Sequence, residues 1–453
     1  MMKKVLSIFL IIVSAISIFI GNITYSFADN LPTISAPYAV LMDYETGQVL
    51  YEKNGDQRVY PASTTKMWTA YVVLKHVDDL SQRIRIENLE PIDGTSMYLQ
   101  NGESFTVKEL LQGLMITSAN DAAVVLARFV SGNEQEFANL MNEEAKKIGA
   151  KNTHFNNPNG LPDENHYTTA YDMALMSREA MSNETFREIV SQERVFFKQD
   201  ETTFVARDFV NTNKFISGTS NEKMMYNNQL IDIKYPIVDG IKTGFTNDAG
   251  KCLLSSALKN DMRLISAVFK TTGNTNMYID SRTLLDYGFN NFKSTTIVQK
   301  EEYSNSKKVF FFKQKTLNYE PKSGYKLVLP KDEKVEQYSV KEILKDINLP
   351  IKKGDVVGSL EVYKNNELES TIDLIATNDV ESILPFFNKN VLLSIVKILL
   401  VLILLIPISL ILLKKYLNRY RKNKRNRFYR NNKNIYINKK SKNINFKNNR
   451  RYK

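Results

Sequence analysis

A single cysteine, Cys252, stands among 453 residues, so no disulfide can form within the chain and its stability must come from packing. Histidine is nearly as scarce, with His76, His154 and His166 the three in the sequence. His154 and His166 share a polar segment but lack a third ligand at a recognisable metal spacing, so neither a metal nor another cofactor is expected, and packing or hydrogen bonding is their expected role. His76 follows an apolar helical run and reads as surface or filler. Cys252 falls in an apolar stretch without a histidine partner, which argues against a thiol nucleophile. Acidic residues are missing from one region. Residues 414–453 hold 17 Lys or Arg and no Asp or Glu, so the formal charge of +12 becomes 12 − 17 = −5 for everything before them. The basicity belongs to a tail, and no nucleic-acid partner is expected. The chain is long enough for roughly two domains with cores of their own.

Long apolar runs are also few. The first, residues 5–20, follows Lys3 and Lys4 and precedes Ser26-Phe27-Ala28, small residues at the positions of a cleavage site. Residues 1–28 therefore read as a secretory signal peptide. The second, residues 391–413, is interrupted by Ser394, Lys397 and Pro407. As a helix it can cross a hydrocarbon core of about 30 Å. The basic flank that begins at Lys414 and Lys415 predicts a cytoplasmic tail, drawn to anionic lipid and disordered in its Asn- and Lys-rich later part, with the bulk of the chain outside the cell.

Between the two runs, residues 38–43 and 48–53 are β-rich around Glu45-Thr46-Gly47 and predict a hairpin. Pro61-Ala62-Ser63-Thr64-Thr65-Lys66 then opens an apolar helical stretch. Residues three apart share a helix face, so Ser63 and Lys66 can point into one cavity. A serine hydroxyl reacts at neutral pH only if a base takes its proton, and a lysine serves as that base only when desolvation or a second cation lowers its pKa. Helical spacing over residues 106–114 and 122–129 places Ser118 and Asn120 at the junction of two helices. Residues 151–171 form a polar segment whose Asn156-Asn157-Pro158-Asn159-Gly160-Leu161-Pro162 is dense in turn formers. Residues 235–238 read as a short strand, followed by Asp239-Gly240-Ile241-Lys242-Thr243-Gly244-Phe245. On a strand edge, Lys242 offers charge, Thr243 a hydrogen bond, and Gly244 room for a ligand backbone. Residues 252–258 and 263–269 predict two paired strands that turn at Lys259-Asn260-Asp261.

Taken together, Ser63 to Lys66, Ser118 to Asn120, and Lys242 to Gly244 follow the order of motifs in penicillin-binding proteins and class A β-lactamases. Ala119 stands where those motifs have aspartate, and this form, with the flanks at residues 59–66, 117–123, 159–162 and 238–244, resembles the low-molecular-mass D-alanyl-D-alanine carboxypeptidases of the penicillin-binding protein 5 type. The resemblance covers roughly residues 33–385. It implies an α/β sandwich, a mostly antiparallel sheet flanked by helices, over residues 29–291, and a small all-β domain over residues 292–385. Short β-rich runs at 308–312, 324–329, 356–363 and 368–375 agree with the second part. A transmembrane helix over 391–413 departs from relatives that use an amphipathic terminal helix.

The resemblance further implies residue roles. Ser63 attacks the D-Ala-D-Ala carbonyl, Lys66 accepts its proton, and Ser118 passes a proton to the leaving amine. Asn120 holds the peptide backbone, while Lys242, Thr243 and Gly244 receive the terminal carboxylate and the chain next to it. The backbone N–H groups of Ser63 and Phe245 form the oxyanion hole. Phe245 departs from the histidine of many relatives, so altered specificity or rate is expected. The implied substrate is a peptidoglycan stem peptide, with β-lactams as covalent inhibitors. Alternatives on the same scaffold are a β-lactamase or an endopeptidase. A catalytically silent wall-binding or β-lactam-sensing membrane protein is a further alternative, which the intact motifs argue against.

Overall fold

The structure is a computed structural model that describes residues 31–309, 316–347, 349–381 and 389–445. The signal peptide expected at 1–28 lies outside them. The chain divides into two compact units, one running to Ile297 and taking in Tyr325–Val335, the other comprising Val298–Gly324 and the chain from Glu336.

The first unit is organised around five antiparallel strands. They are β1 (Tyr38–Asp43), β2 (Val49–Lys53), β3 (Val238–Thr246), β4 (Gly250–Lys259) and β5 (Met262–Thr271), in the order β2-β1-β5-β4-β3. Strand side chains alternate between faces, and here both faces are apolar, which commits both to burial. Val40 and Met42 of β1, Cys252 and Leu254 of β4, and Ile265, Ala267 and Phe269 of β5 enter one core cluster. Their neighbours Ala39 and Leu41, Leu253 and Ala257, and Leu264 and Val268 enter a second. Helices α1 (Thr65–His76), α2 (Val107–Ile116), α3 (Asn120–Ser131), α4 (Glu134–Lys147) and α5 (Ala170–Ala180) supply the first cluster, joined by Phe186, Ile189 and Val190 of the short helix Glu184–Val190. The second is covered by α6 (Asn276–Asn291). The result is the expected sandwich of helices on an antiparallel sheet.

The expected hairpins form. The β1–β2 turn holds Gly47 at φ +74°, and the β4–β5 turn places Asn260 and Asp261 at φ +50° and +60°, a left-handed pair that matches the twist of a two-residue hairpin. Helix α2 starts at a capping box: the Thr106 side chain accepts from the Glu109 N–H while the Glu109 carboxylate accepts from the Thr106 N–H. One expectation needs correction. The strand predicted at 235–238 instead runs Val238–Thr246, because the ladder partner is β4 from Gly250 to Ala257, whereas the Tyr235 N–H bonds to the Phe215 carbonyl at 2.9 Å and its ring packs in the second core.

The second unit carries a five-stranded antiparallel sheet, β6 (Asn305–Lys308), β7 (Thr316–Pro321), β8 (Tyr338–Leu344), β9 (Val356–Lys364) and β10 (Glu367–Ala376), in the order β6-β7-β10-β9-β8. The run predicted at 308–312 is a strand only at Asn305–Lys308, and residues 310–312 lie outside the described ones. The run at 324–329 is the strand Tyr325–Pro330, which pairs with Phe292–Val298, and Val328 lies in the second core cluster. A final helix, α7 (Lys389–Asn445), includes a candidate membrane span, Leu393–Arg427, in which an 18-residue window has mean hydropathy 3.1. The later tail, expected to lack order, continues this helix to Asn445, since extending a formed helix costs far less than nucleating one.

Candidate active site

Ser63 occupies a single 3₁₀ turn, Ala62–Thr64, that leads directly into α1. Ala62 sits at φ +49°, a left-handed conformation unusual for alanine, so the chain turns sharply just before the hydroxyl. Helix α1 is buried from Thr65 to Val73, including its polar residues, because it runs through the core of the helical layer. Trp68 Nε1 donates to the Met141 carbonyl at 2.9 Å, and Thr69 Oγ1 donates to the Pro158 carbonyl at 2.6 Å, fixing the helix against the polar segment 151–171.

Lys66 is therefore fully buried. Its Nζ lies 2.9 Å from Ser63 Oγ and donates to the Asn159 carbonyl at 2.5 Å. Burial first, and then the positive charge of Lys242, hold its pKa well below the ordinary lysine value, with Asp121 opposing. A neutral amine can donate to Asn159 and still offer its lone pair to the serine hydroxyl. Lys242 lies in β3, the edge strand of the sheet, and is also buried, which brings it to about 7. Its Nζ donates to the Thr243 carbonyl at 3.1 Å. Gly244 brings the strand against the nucleophile's turn: a Cβ there would meet Thr64 N at 3.0 Å and the Pro61 carbonyl oxygen at 3.1 Å.

Ser118 links α2 to α3 with φ +65°. Its Oγ and Asn120 Oδ1 are buried without a hydrogen-bond partner. Unpaired buried polar atoms cost about 1–3 kcal/mol each, and they persist where a ligand is to meet them. Asn120 Nδ2 donates to the Asp93 carbonyl at 2.5 Å. Next to it, the Asp121 carboxylate accepts from Ser96 Oγ, Met97 N and Leu99 N at 2.5, 2.9 and 3.0 Å, tying the loop before α2 to the start of α3. Thr243 Oγ1 donates to Thr212 Oγ1 at 3.0 Å. Phe245 turns its ring outward, 55% exposed, with Lys251 Nζ 4.6 Å from the ring centroid.

The structure thus pairs Ser63 directly with Lys66, couples Lys242 to Lys66 through charge, and sets Gly244 against the serine turn. Ser118 and Asn120 lie at the α2–α3 junction, with Ser118 Oγ and Asn120 Oδ1 unpaired, and neither bonds to Ser63 or Lys66. Sequence reasoning missed three contributors. The Asn159 carbonyl is a backbone group, Thr212 lies in no motif, and the loop carbonyl of Asp93 becomes adjacent only in the fold. His166 proves to be structural. Its Nδ1 accepts from the Asn156 N–H at 3.1 Å, which assigns the proton to Nε2, 2.9 Å from Thr65 Oγ1, and burial lowers it to about 4, so it is neutral at pH 7. Cys252 is buried and its thiol is pushed up to about 12, which leaves it unreactive.

A buried serine–lysine pair at a helix entrance, facing a strand edge with a second buried lysine, defines a serine acyl-transfer enzyme with an amine base. Comparison with known proteins gives the family. The D-alanyl-D-alanine carboxypeptidase family pattern matches residues 25–273, and the C-terminal domain of penicillin-binding protein 5 matches residues 292–382. D-alanyl-D-alanine carboxypeptidase DacF of Bacillus subtilis is 34% identical over 352 residues, covering 76% of this chain and 86% of that protein. DacC of Escherichia coli is 31% identical over 366 residues, 77% and 85% of the two chains. Among solved structures, penicillin binding protein 5 from Haemophilus influenzae aligns with a TM-score of 0.62 at 29% identity, over 78% of this chain and 100% of its own. The chain belongs to the D-alanyl-D-alanine carboxypeptidase family, penicillin-binding protein 5 type.

One glycine holds the serine turn in place from behind. Gly160 has φ +83°, and a Cβ there would stand 1.9 Å from the Ala62 carbonyl oxygen. Gly160→Ala is expected to destabilise the first unit by about 2–4 kcal/mol through strain and overpacking. It should also slow acylation of Ser63, because Ala62 must move. Thermal melting and the rate of fluorescent-penicillin labelling check both; an unchanged melting temperature would show that the loop, not the serine turn, yields.

Proposed function

We propose that this chain removes the terminal D-alanine from peptidoglycan stem peptides through an ester on Ser63. The observation that carries the reading is the 2.9 Å approach of the buried Lys66 amine to Ser63 Oγ. In the first step the Ser63 oxygen bonds to the carbonyl carbon of the scissile amide as its proton passes to Lys66 Nζ. The negative oxygen that forms is received by the backbone N–H groups of Ser63 and Phe245. When the C–N bond breaks, Ser118 relays a proton to the departing D-alanine amine, and water then releases the shortened peptide. Lys242 and Thr243 hold the substrate's terminal carboxylate, Gly244 leaves room beside it, and the unpaired Asn120 Oδ1 accepts from the peptide backbone. A β-lactam places its ring amide at the same position and stays attached after ring opening.

Fluorescent penicillin should label Ser63, Ser63→Ala should abolish labelling, and Lys66→Ala should slow it by roughly two to four decades at neutral pH. Peptide mapping of the label to another residue would reject the assignment.

The two lysines also set a pH profile. Lys66 acts neutral, so its lowered pKa makes kcat/KM rise with pH through that value and brings activity into a range where an ordinary lysine would be fully protonated. Lys242 acts charged, and its pKa of about 7 makes kcat/KM fall as pH passes that point. In Lys242→Arg the cation persists beyond pH 12 in its unperturbed form, so the falling limb should leave the range near 7. A limb that stays in place in the variant belongs to another group.

The apolar stretch Leu393–Arg427 supports a single membrane anchor, and the basic residues after Leu413 support a cytoplasmic C-terminus with the catalytic unit outside. Protease added to whole cells should degrade the catalytic unit and spare a tag after Lys453; the opposite pattern would reverse the orientation.

A further inference from the structure

A buried ion pair in the first unit stands in no motif and in no step of the proposed reaction. Arg207, in the short strand Arg207–Val210, and Glu103, ahead of α2, have side chains 5% and 0% exposed, with Arg207 Nη2 2.7 Å from Glu103 Oε2. Desolvation of two buried charges offsets much of their attraction, and apolar residues of similar volume often serve stability as well. The hydrogen bonds of the pair give it another use. A guanidinium has five N–H donors and a carboxylate about four acceptor sites, and here all are taken. Arg207 donates to Glu103 Oε1 and Oε2 at 3.0 and 2.7 Å, to the Val205 carbonyl at 3.0 Å, and to the Met97 and Tyr98 carbonyls at 2.7 and 2.8 Å. Glu103 also accepts from the Gln100 and Phe204 N–H groups at 2.8 Å each.

The two loop carbonyls are the telling partners. Successive carbonyls of an extended chain point to opposite sides, yet those of Met97 and Tyr98 meet one guanidinium, because Tyr98 is held at φ +58°. That conformation is strained for tyrosine, and the residue is 75% exposed, so packing of its ring does not hold it. The loop is instead gripped from two sides, by Arg207 on its carbonyls and by the Asp121 carboxylate on the Met97 and Leu99 N–H groups.

From this loop the constraint passes to the cleft. The Thr95 carbonyl accepts from the Asn120 N–H at 2.8 Å, and the Asp93 carbonyl from Asn120 Nδ2 at 2.5 Å. Met97 packs on Gly113 of α2 so closely that a Cβ at Gly113 would collide with its sulfur. The Gly113 carbonyl in turn accepts from the Thr117 and Ala119 N–H groups at 3.3 Å each. Ser118 lies between these two residues, and its hydroxyl has no partner among the described residues. Such a hydroxyl is placed by its backbone and rotamer alone.

We propose, on the reading of Ser118 given above, that Arg207 and Glu103 are positioning residues for proton transfer to the leaving group. Through the loop 93–99 they hold the α2–α3 junction, and with it Ser118 Oγ, at the nitrogen of the departing residue. Once Ser63 Oγ has bonded to the carbonyl carbon, the C–N bond breaks with its electron pair going to nitrogen. The nitrogen takes the proton that Ser118 relays from Lys66, whereas a sulfur leaving group departs as a thiolate without one. Misplacing Ser118 harms amide cleavage and leaves thiolester cleavage nearly intact.

The test measures kcat/KM of the full-length protein in detergent for a peptide ending in D-Ala-D-Ala and for its thiolester analogue, in which D-thiolactate replaces the last residue. The quantity read is the amide-to-thiolester ratio within each variant, from which losses of folded protein and of carboxylate binding cancel. Ser118→Ala should lower the ratio about a hundredfold, the scale of a general acid. Arg207→Lys keeps a charge beside Glu103 but cannot fork to both carbonyls, and should lower the ratio about tenfold, since small displacements of a reacting group carry costs of that order. Glu103→Leu with Arg207→Met replaces the pair by apolar side chains, and should recover the melting temperature that Arg207→Met alone loses while keeping the low ratio. Should the double variant not fold, Arg207→Lys decides. A wild-type ratio in Arg207→Lys, or in the folded double variant, makes the pair a structural element only and overturns the proposal. A wild-type ratio in Ser118→Ala overturns the relay itself, and the positioning role with it, so the two failures are separable.

Discussion

The site depends on the burial of two amines. Among the described residues Lys66 and Lys242 have no carboxylate in direct contact, and both lie inside the protein. Burial of an unpaired ammonium is costly, and proteins usually relieve the cost by giving up the proton. Here that relief is the chemistry. Lys66 is lowered by desolvation first and then by the charge of Lys242, whereas Lys242 is lowered by desolvation alone. In the proposed reaction that difference in surroundings divides the labour, with one amine as the base and the other regaining its charge when a carboxylate arrives.

That arrangement in turn constrains the fold. To bury Lys66, α1 must pass through the helical layer, and it does so by placing Trp68, Thr69 and their neighbours out of solvent and tying them to backbone carbonyls of α4 and the 151–171 segment. To bring Lys242 close, the sheet must end in β3, whose edge faces the serine turn with Gly244 at the closest approach. The strained backbone at Ala62 and Ser118 fits the same pattern: both residues adopt left-handed conformations where the chain must aim a hydroxyl or its neighbour into the cleft.

The C-terminal part follows a different physical logic. Its sheet needs no polar burial among the described residues, and α7 presents apolar side chains outward over residues 393–413, which water does not favour. A hydrocarbon environment removes that cost. Catalysis and anchoring are thus carried by separate stretches of sequence, with all residues of the proposed acyl-transfer site between Ser63 and Phe245.

Much of this was legible in the residues alone. The β-rich runs, the turns at Gly47 and Asn260-Asp261, the helical spacing over 106–114 and the long apolar run near the end are local patterns, set by rules that act over a few residues, and they marked the two hairpins of the first sheet, the helices α1 to α3 and the terminal helix. The motifs also singled out Ser63, Lys66, Ser118, Asn120 and Lys242 to Gly244 as candidates, because the proposed chemistry calls for those side chains. The strand at 235–238 was misplaced because its ladder partner lies beyond the hairpin turn. Only the tertiary structure decided what surrounds the site. The carbonyl of Asn159 at Lys66, the hydroxyl of Thr212 at Thr243, the unpaired Ser118 and Asn120 atoms, and the ion pair of Glu103 with Arg207 all join segments distant in sequence. The reason is physical: a side chain's identity fixes what chemistry it can do, but its pKa and its partners are set by burial and by backbone groups that carry no sequence signature.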